Sequence, residues 1–172
     1  MPEFYHIDRQ GHLKEGDTIN LVKYNDIHPD FLQSHVDFLF QDGVSSHGER
    51  YYLKGLQDPR LPNPQLEILF EYIRQAHFPD KTSRFQAMFA FETENSALEF
   101  KNKYCSNQGS IWRIQSDQYF KGNMKLLKLG GSILMTSYFA HEYWRGNAGP
   151  EDIGNFWEIL LFPPIQILNR IS

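Results

Sequence analysis

The sequence predicts a single α+β domain. Its 172 residues are a usual length for one domain. Hydrophobic residues make up 41% and aromatic residues 15% of the chain, which is enough to close a core without disulfides. Two periodicities are present: apolar side chains alternate between Phe85 and Phe91, as in a strand, and recur every three or four residues after Pro64, as in a helix.

The N-terminal half is predicted to contain two short strands and two helices. The strands are Glu3 to Ile7 and Thr18 to Val22, and the helices are Asp30 to Gln41 and Pro64 to about His77. Asn63 is expected to cap the second helix, with Pro64 at its first position. Between the helices, residues 43–62 are rich in Ser, Gly and Pro and predict a long loop, a kind of segment that often serves as a lid.

The C-terminal half is predicted to contain four strands and three helices. The predicted strands are Phe85 to Phe91, Ser110 to Gln115, Phe156 to Phe162 and Ile165 to Ile171. The predicted helices are Thr93 to about Tyr104, Lys121 to Lys128, and a helix capped by Ser132 that continues to Trp144. Residues 146–154 predict a second loop, which is also suited to be a lid.

Charge is unevenly distributed along the chain. The overall formal charge is −4, from 17 basic and 21 acidic residues, which argues against a protein that coats nucleic acid or membrane surfaces. Residues 99–128 are nevertheless basic, with two acids against six bases: Lys101, Lys103, Arg113, Lys121, Lys125 and Lys128. Two interpretations stay open for this segment, the attraction of an anionic substrate and an ordinary solvated surface.

Several classes of protein are not supported by the motifs. The single cysteine, Cys105, excludes a disulfide framework and a cysteine-rich zinc site, and the seven histidines show no metal-binding spacing, so no metal is predicted. Glycine-rich nucleotide loops and nucleophile elbows are absent. Met1 to Arg9 lacks the features of a signal peptide, and no apolar stretch would span a bilayer. We therefore expect a cytoplasmic protein with no membrane partner.

A few residue types stand out as candidates for chemistry. Glu158 lies in a strand between apolar neighbours, so it is either a desolvated functional carboxylate or an outward-facing residue. His6 lies inside the first strand, and Arg84 precedes the strongest one, where a guanidinium can hold a phosphate by a forked contact. Tyr143 and Trp144 end a helix beside a loop, where aromatic rings either close a pocket or fill the core.

Taken in order, these segments resemble the ADP-ribosyltransferase superfamily, and especially its small bacterial, toxin-like members that act on DNA or RNA. The resemblance rests on Tyr5-His6, on residues 83–89 with the following helix, on Tyr143-Trp144-Arg145-Gly146, and on Trp157 to Pro164. It implies a split β-barrel of two small sheets flanked by helices, in one domain over residues 1–172. It also implies an enzyme that transfers ADP-ribose from NAD to a macromolecular acceptor, either protein or nucleic acid. Whether this enzyme is a toxin, an effector delivered to another cell or a housekeeping enzyme stays open.

The resemblance also implies roles for individual residues. Glu158 would hydrogen-bond the nicotinamide ribose and stabilise positive charge on its anomeric carbon. His6, with Tyr5 beside it, would contact the adenosine ribose or the nicotinamide amide. Arg84 would contact the pyrophosphate or the substrate, and the aromatic pair Tyr143 and Trp144 would be the nearest match to a clamp around the nicotinamide ring.

Two departures from the superfamily pattern leave alternatives open. Phe156 occupies the position where arginine-modifying members have a second glutamate, so arginine is not expected as the acceptor. The tyrosine pair of diphtheria-toxin-like members is also missing. One alternative is a non-catalytic binding module that contacts an anionic partner through residues 99–128. Another is a relative that consumes NAD while it processes a 2′-phosphate on nucleic acid.

Overall fold

The computed structural model describes residues 1–55 and 64–172. Within these residues the chain forms seven strands, β1 to β7, and five α-helices, α1 to α5. The strands are Glu3–Asp8, Thr18–Ile19, Met88–Ala90, Ser110–Gln115, Tyr119–Asn123, Trp157–Leu161 and Ile165–Arg170. The helices are Asp30–Leu39, Ser46–Gly48, Pro64–His77, Glu94–Tyr104 and Ile133–Arg145.

The strands form two small antiparallel sheets. The first sheet has the order β1-β4-β7-β2, and the second has the order β3-β6-β5. An isolated bridge joins the sheets, in which Tyr5 and Phe91 exchange both of their backbone hydrogen bonds. The predicted α+β class, with two small sheets flanked by helices, is confirmed, although within residues 1–55 and 64–172 the sheets do not close into a barrel.

Strand β6 is the centre of the second sheet, and both of its faces are covered. Ile159 and Leu161 pack against the first sheet, in a core that includes Phe4 and Ile114. Leu160 faces the other way, into a core that helices α3 and α5 complete. Because side chains alternate along a strand, Glu158 lies on the helix-covered face with Leu160. The fold therefore places this carboxylate inside the molecule.

The predicted strand from Phe85 to Phe91 is wrong in its first half. Ser83 accepts a hydrogen bond from the backbone N–H of Phe85, and this cap begins a 3-10 turn over Arg84–Gln86. Only Met88–Ala90 pairs with β6. The alternation of apolar residues here reflects a turn followed by a short strand, and the turn directs Arg84 into the interior, where it is buried.

The predicted helix from Lys121 to Lys128 is wrong. Residues 119–123 form strand β5, which pairs with β6, and a 3-10 turn over Met124–Leu126 follows. The buried side chain of Asn123 fixes this change of direction, because its Oδ1 accepts hydrogen bonds from the backbone N–H groups of Lys125 and Phe156. An amide that bonds its own backbone favours a turn over a continuing helix.

The predicted loop over residues 43–62 is also wrong in part. Ser45 caps helix α2, and its helical path continues through a wider turn over Glu49–Leu53. The rest of this predicted loop, and the predicted cap at Asn63, lie outside the described residues. Residues 146–154 contain only a 3-10 turn, and Asn123 donates to the carbonyls of Ala148 and Gly154, so this segment is anchored to β5.

Candidate functional site

The site is built around the buried carboxylate of Glu158, which is 5% exposed. Two donors converge on its Oε1: the Nη1 of Arg84 and, at 2.8 Å, the hydroxyl of Tyr143. The same Nη1 of Arg84 lies 2.7 Å from the Tyr143 hydroxyl, so the three groups contact one another. Of the two interpretations left open by the sequence, the structure supports the desolvated carboxylate.

Arg84 also binds a second buried carboxylate, that of Glu67 on α3. Its Nε donates to Glu67 Oε2 at 2.9 Å and its Nη2 donates to Oε1 at 3.2 Å, a forked geometry that is favourable for a guanidinium–carboxylate pair. Burial acts to raise the pKa of Glu67, but Arg84 outweighs it and holds that pKa below its ordinary value. One guanidinium therefore pairs with two buried carboxylates.

The other groups in the cluster are uncharged at neutral pH. Burial lowers the pKa of His47 to about 4, and its Nε2 lies 3.8 Å from Glu67 Oε1. Burial likewise raises the pKa of Tyr143 well above that of a free phenol. With two carboxylates, one guanidinium and two neutral rings, the cluster has a formal charge of −1.

Phe89 connects the histidine and arginine sides of the cluster. Its ring centroid lies 4.5 Å from that of His47 and 4.8 Å from the guanidinium carbon of Arg84. A cation held over an aromatic face is favourable, and more so when water is excluded. Phe89 thus forms one wall of the site.

Two glycines allow the surrounding elements to approach closely. A Cβ on Gly48 would lie 2.2 Å from the carbonyl oxygen of Phe85, so only glycine lets α2 dock beside the turn that carries Arg84. A Cβ on Gly122 would lie 2.6 Å from the ring of Tyr143. Gly122 pairs with Glu158 across β5 and β6, so its missing side chain gives the tyrosine room to reach the carboxylate.

His6 lies at the junction of the two sheets. Its Nδ1 donates to the carbonyl oxygen of Phe89 at 2.6 Å. A carbonyl can only accept, so Nδ1 carries the proton, and the neutral ring leaves Nε2 as an acceptor. Burial lowers the pKa of His6, which favours this neutral form. The half-buried Tyr5 packs on the other face of β1, near Phe91.

Trp144 lies in the core between α3 and α5. It is fully buried, and its indole N–H donates to the carbonyl oxygen of Phe70 at 2.8 Å. Its ring packs edge-on against that of Tyr143. The structure therefore brings Glu158, Arg84 and Tyr143 into direct contact, places His6 one strand away, and puts Trp144 behind Tyr143.

Sequence reasoning missed two members of the cluster, Glu67 and His47. Glu67 lies on the first turn of α3, where an acidic residue is ordinary and does not draw attention. His47 fell inside a predicted loop. The available signal was the Ser45 cap followed by His47 and Tyr51, whose spacing of four residues places two aromatic side chains on one helix face.

The basic residues of segment 99–128 lie on several elements of the fold. They are distributed over α4, β4, β5 and the residues that follow β5. Within the described residues, Arg113 lies 3.4 Å from Glu3 and Lys121 is ion-paired with Glu92, so at least two of the six have acidic partners.

Residues 1–55 and 64–172 contain no group of three or more His, Cys, Asp or Glu side chains arranged to hold a metal ion. None of the helices in these residues is long and apolar enough to cross a membrane.

Comparison with known proteins gives a family without a functional assignment. No curated protein matches the chain. A family model described as "Protein of unknown function (DUF2441)" matches residues 4–172, which is nearly the whole sequence. The chain therefore belongs to the DUF2441 family.

Proposed function

We propose that the protein transfers ADP-ribose from NAD to a macromolecular acceptor. The observation that carries the proposal is the buried carboxylate of Glu158, fixed by two donors in a cluster with one net negative charge. Two small sheets flanked by helices are also part of the arrangement that the sequence resemblance implies. These features support an ADP-ribosyltransferase-like fold as part of the same proposal.

The reaction breaks the bond between the anomeric carbon of the ribose and the nicotinamide nitrogen. Nicotinamide leaves as a neutral molecule with the bonding electron pair, and the ribose develops oxocarbenium character, as in glycoside hydrolysis. An acceptor nucleophile then bonds to the anomeric carbon and loses its proton. The largest demand on the protein is to stabilise the transient positive charge on the ribose.

The negative charge of the cluster is suited to stabilising the positive charge that develops on the ribose. A preorganised negative group stabilises a developing cation more strongly than it stabilises the ground state, so it lowers the barrier. Arg84 alone would neutralise Glu158, but Glu67 engages the same guanidinium and leaves the cluster negative. In the proposal Arg84 is a positioning residue that orients Glu158, and it does not hold the pyrophosphate.

The remaining predicted residues have supporting roles in the proposal. Glu158 Oε2 would bind the nicotinamide ribose, because Arg84 and Tyr143 both donate to Oε1. The Nε2 of His6 would accept a hydrogen bond from a ribose hydroxyl of NAD. Trp144 supports Tyr143 from the core, and Tyr5 holds β1 against Phe91.

The proposal is tested by the change Glu158→Gln. We expect nicotinamide release from NAD to fall by about 10²–10³-fold, since a neutral amide cannot stabilise the oxocarbenium ion. Release is measured by chromatography with purified protein, and circular dichroism checks that the variant is folded. The exposed Glu99→Gln is the matched control and should keep wild-type activity.

Two outcomes would contradict the proposal. One is full nicotinamide release by a folded Glu158→Gln variant. The other is a wild-type protein that neither releases nicotinamide nor gains thermal stability with NAD, since a ligand that binds the native state raises the unfolding temperature. Mass analysis of the products then separates transfer to a protein or nucleic acid from removal of a 2′-phosphate.

A further inference from the structure

Two buried polar atoms beside the cluster lack hydrogen-bond partners within the described residues. They are Nε2 of His47 and the hydroxyl of Tyr51. Polar groups that are hidden from water almost always have a partner, so an unpaired one indicates a ligand or a water. Trp112 Nε1 is also unpaired, but it is a single atom in the core between the two sheets.

The two atoms belong to neighbouring rings. His47 and Tyr51 are four residues apart on the helical stretch that begins with α2, and their ring centroids are 4.6 Å apart. His47 also contacts the ring of Phe89, whose other neighbour is Arg84. The ring of His47 therefore adjoins the cluster that holds Glu158, and the ring of Tyr51 lies next to it.

Resting on the proposed function, we propose that His47 and Tyr51 bind the carboxamide of the nicotinamide leaving group. A carboxamide presents one carbonyl acceptor and one N–H₂ donor. The phenol of Tyr51 is able to donate to the carbonyl, and Nε2 of His47 is able to accept from the N–H₂ group in the tautomer that carries its proton on Nδ1. The ring of Phe89 offers a flat apolar surface against which the pyridine ring packs.

The charges around the pair favour an amide over an acid. Glu67 Oε1 lies 3.8 Å from the same Nε2 of His47, so a carboxylate or phosphate placed there would be repelled. The low pKa of His47 keeps its ring neutral, so the ring itself supplies no counter-charge to such an anion. The positive charges of Arg84, Arg50 and Arg9 also act on His47, but Arg84 is already paired with Glu67 and Glu158. The negative cluster also favours the cationic pyridinium form of the nicotinamide within NAD.

The experiment is the change Tyr51→Phe in the full chain. We expect the KM for NAD to rise about tenfold, and inhibition by free nicotinamide to weaken by a similar factor, while kcat changes less. The midpoint of urea unfolding should stay the same or increase, because an unpaired buried hydroxyl has been removed. Tyr52→Phe is the matched control, since Tyr52 packs on Phe40 and Phe85 instead.

A second measurement needs no variant. Nicotinic acid, which differs from nicotinamide by a carboxylate in place of the amide, should inhibit the wild-type protein at least about tenfold more weakly.

The possible results of these two experiments separate the inference about His47 and Tyr51 from the proposed function. Unchanged KM and nicotinamide inhibition in Tyr51→Phe, or equal inhibition by nicotinic acid, would overturn the inference and leave a buried water as the partner of the two atoms. If Glu158→Gln still abolishes turnover in that case, the proposed function stands. A wild-type protein that binds neither NAD nor nicotinamide would overturn both.

Discussion

Arg84 determines whether the carboxylate cluster is stable. Its guanidinium is the shared partner of Glu67 and Glu158, all three being buried. The change Arg84→Met removes the positive charge and leaves two carboxylates together in the interior. We expect the free energy of unfolding to fall by about 3–5 kcal/mol, as measured by urea denaturation.

The control for Arg84 is a surface arginine that also has an acidic partner. Arg113→Met breaks an exposed pair with Glu3 and should change the free energy of unfolding by less than about 1 kcal/mol. If the two variants lose the same stability, the buried network is no more important than a surface ion pair.

At the residue scale, the sequence identified the charged centre but not all of its partners. Glu158 was visible because a carboxylate between apolar strand residues is unusual. Arg84 and Tyr143 were visible through the resemblance, but nothing in the sequence indicated that they contact Glu158. Glu67 lies 17 residues from Arg84 along the chain, and that pairing comes from the docking of α3, which no local pattern encodes.

At the element scale, β5 and α5 depend on one glycine for their close approach. In the Gly122→Ala variant the added methyl would meet the Tyr143 ring at 2.6 Å, so the ring or the strand must shift and the contact of Tyr143 with Glu158 is disturbed. We expect a loss of about 1–3 kcal/mol in the free energy of unfolding, together with reduced nicotinamide release.

A double variant separates this collision from other effects of Gly122→Ala. Adding Tyr143→Leu removes the ring, so the losses of the two single variants should not add. The neighbouring Lys121→Ala, on a half-buried position of the same strand, should change stability by less than about 1 kcal/mol. Additive losses in the double variant would show that the ring and the glycine do not interact.

Most helices and strands were predictable because their periodicity or caps are local signals. Thr93 and Ser132 cap α4 and α5 as expected. In each of the wrong predictions, a side chain that bonds nearby backbone acted against the pattern of apolar residues or the local composition. Ser83 and Ser45 begin turns where a strand and a loop were predicted, and Asn123 ends a strand where a helix was predicted.

At the scale of the whole molecule, buried titratable groups make stability depend on pH. The pKa of His47 is about 4 in the folded protein against 6.5 for an ordinary imidazole. Between these values the unfolded chain binds the proton and the folded protein does not, so acidification favours unfolding. We expect a loss of about 3 kcal/mol from this group between pH 7 and pH 4, measured by urea denaturation.

Glu67 and Asp8 extend the loss of folding stability to lower pH. Burial opposes the shift in both, but ion pairing in Glu67 and backbone N–H donors in Asp8 hold their pKa values below those of the unfolded chain. Their stabilisation is complete above about pH 4.5 and is lost as pH falls through the folded pKa. In the His47→Gln variant, the free energy of unfolding should depend less on pH between pH 6.5 and 4. The exposed His12→Gln is the control and should keep the wild-type dependence. The same pH dependence in both variants would show that His47 is not the group responsible.

The hydrogen bond from His6 to the carbonyl oxygen of Phe89 joins β1 to β3. The imidazole that we propose as a contact for NAD therefore also holds the two sheets together. This hydrogen bond lies beside the Tyr5–Phe91 bridge, which joins the backbones of the same two sheets. In the proposed complex, a pull on the imidazole from NAD would act on that contact between the sheets, and a loosened contact would misalign the imidazole. Binding of NAD and cohesion of the two sheets would then be coupled through the ring of His6.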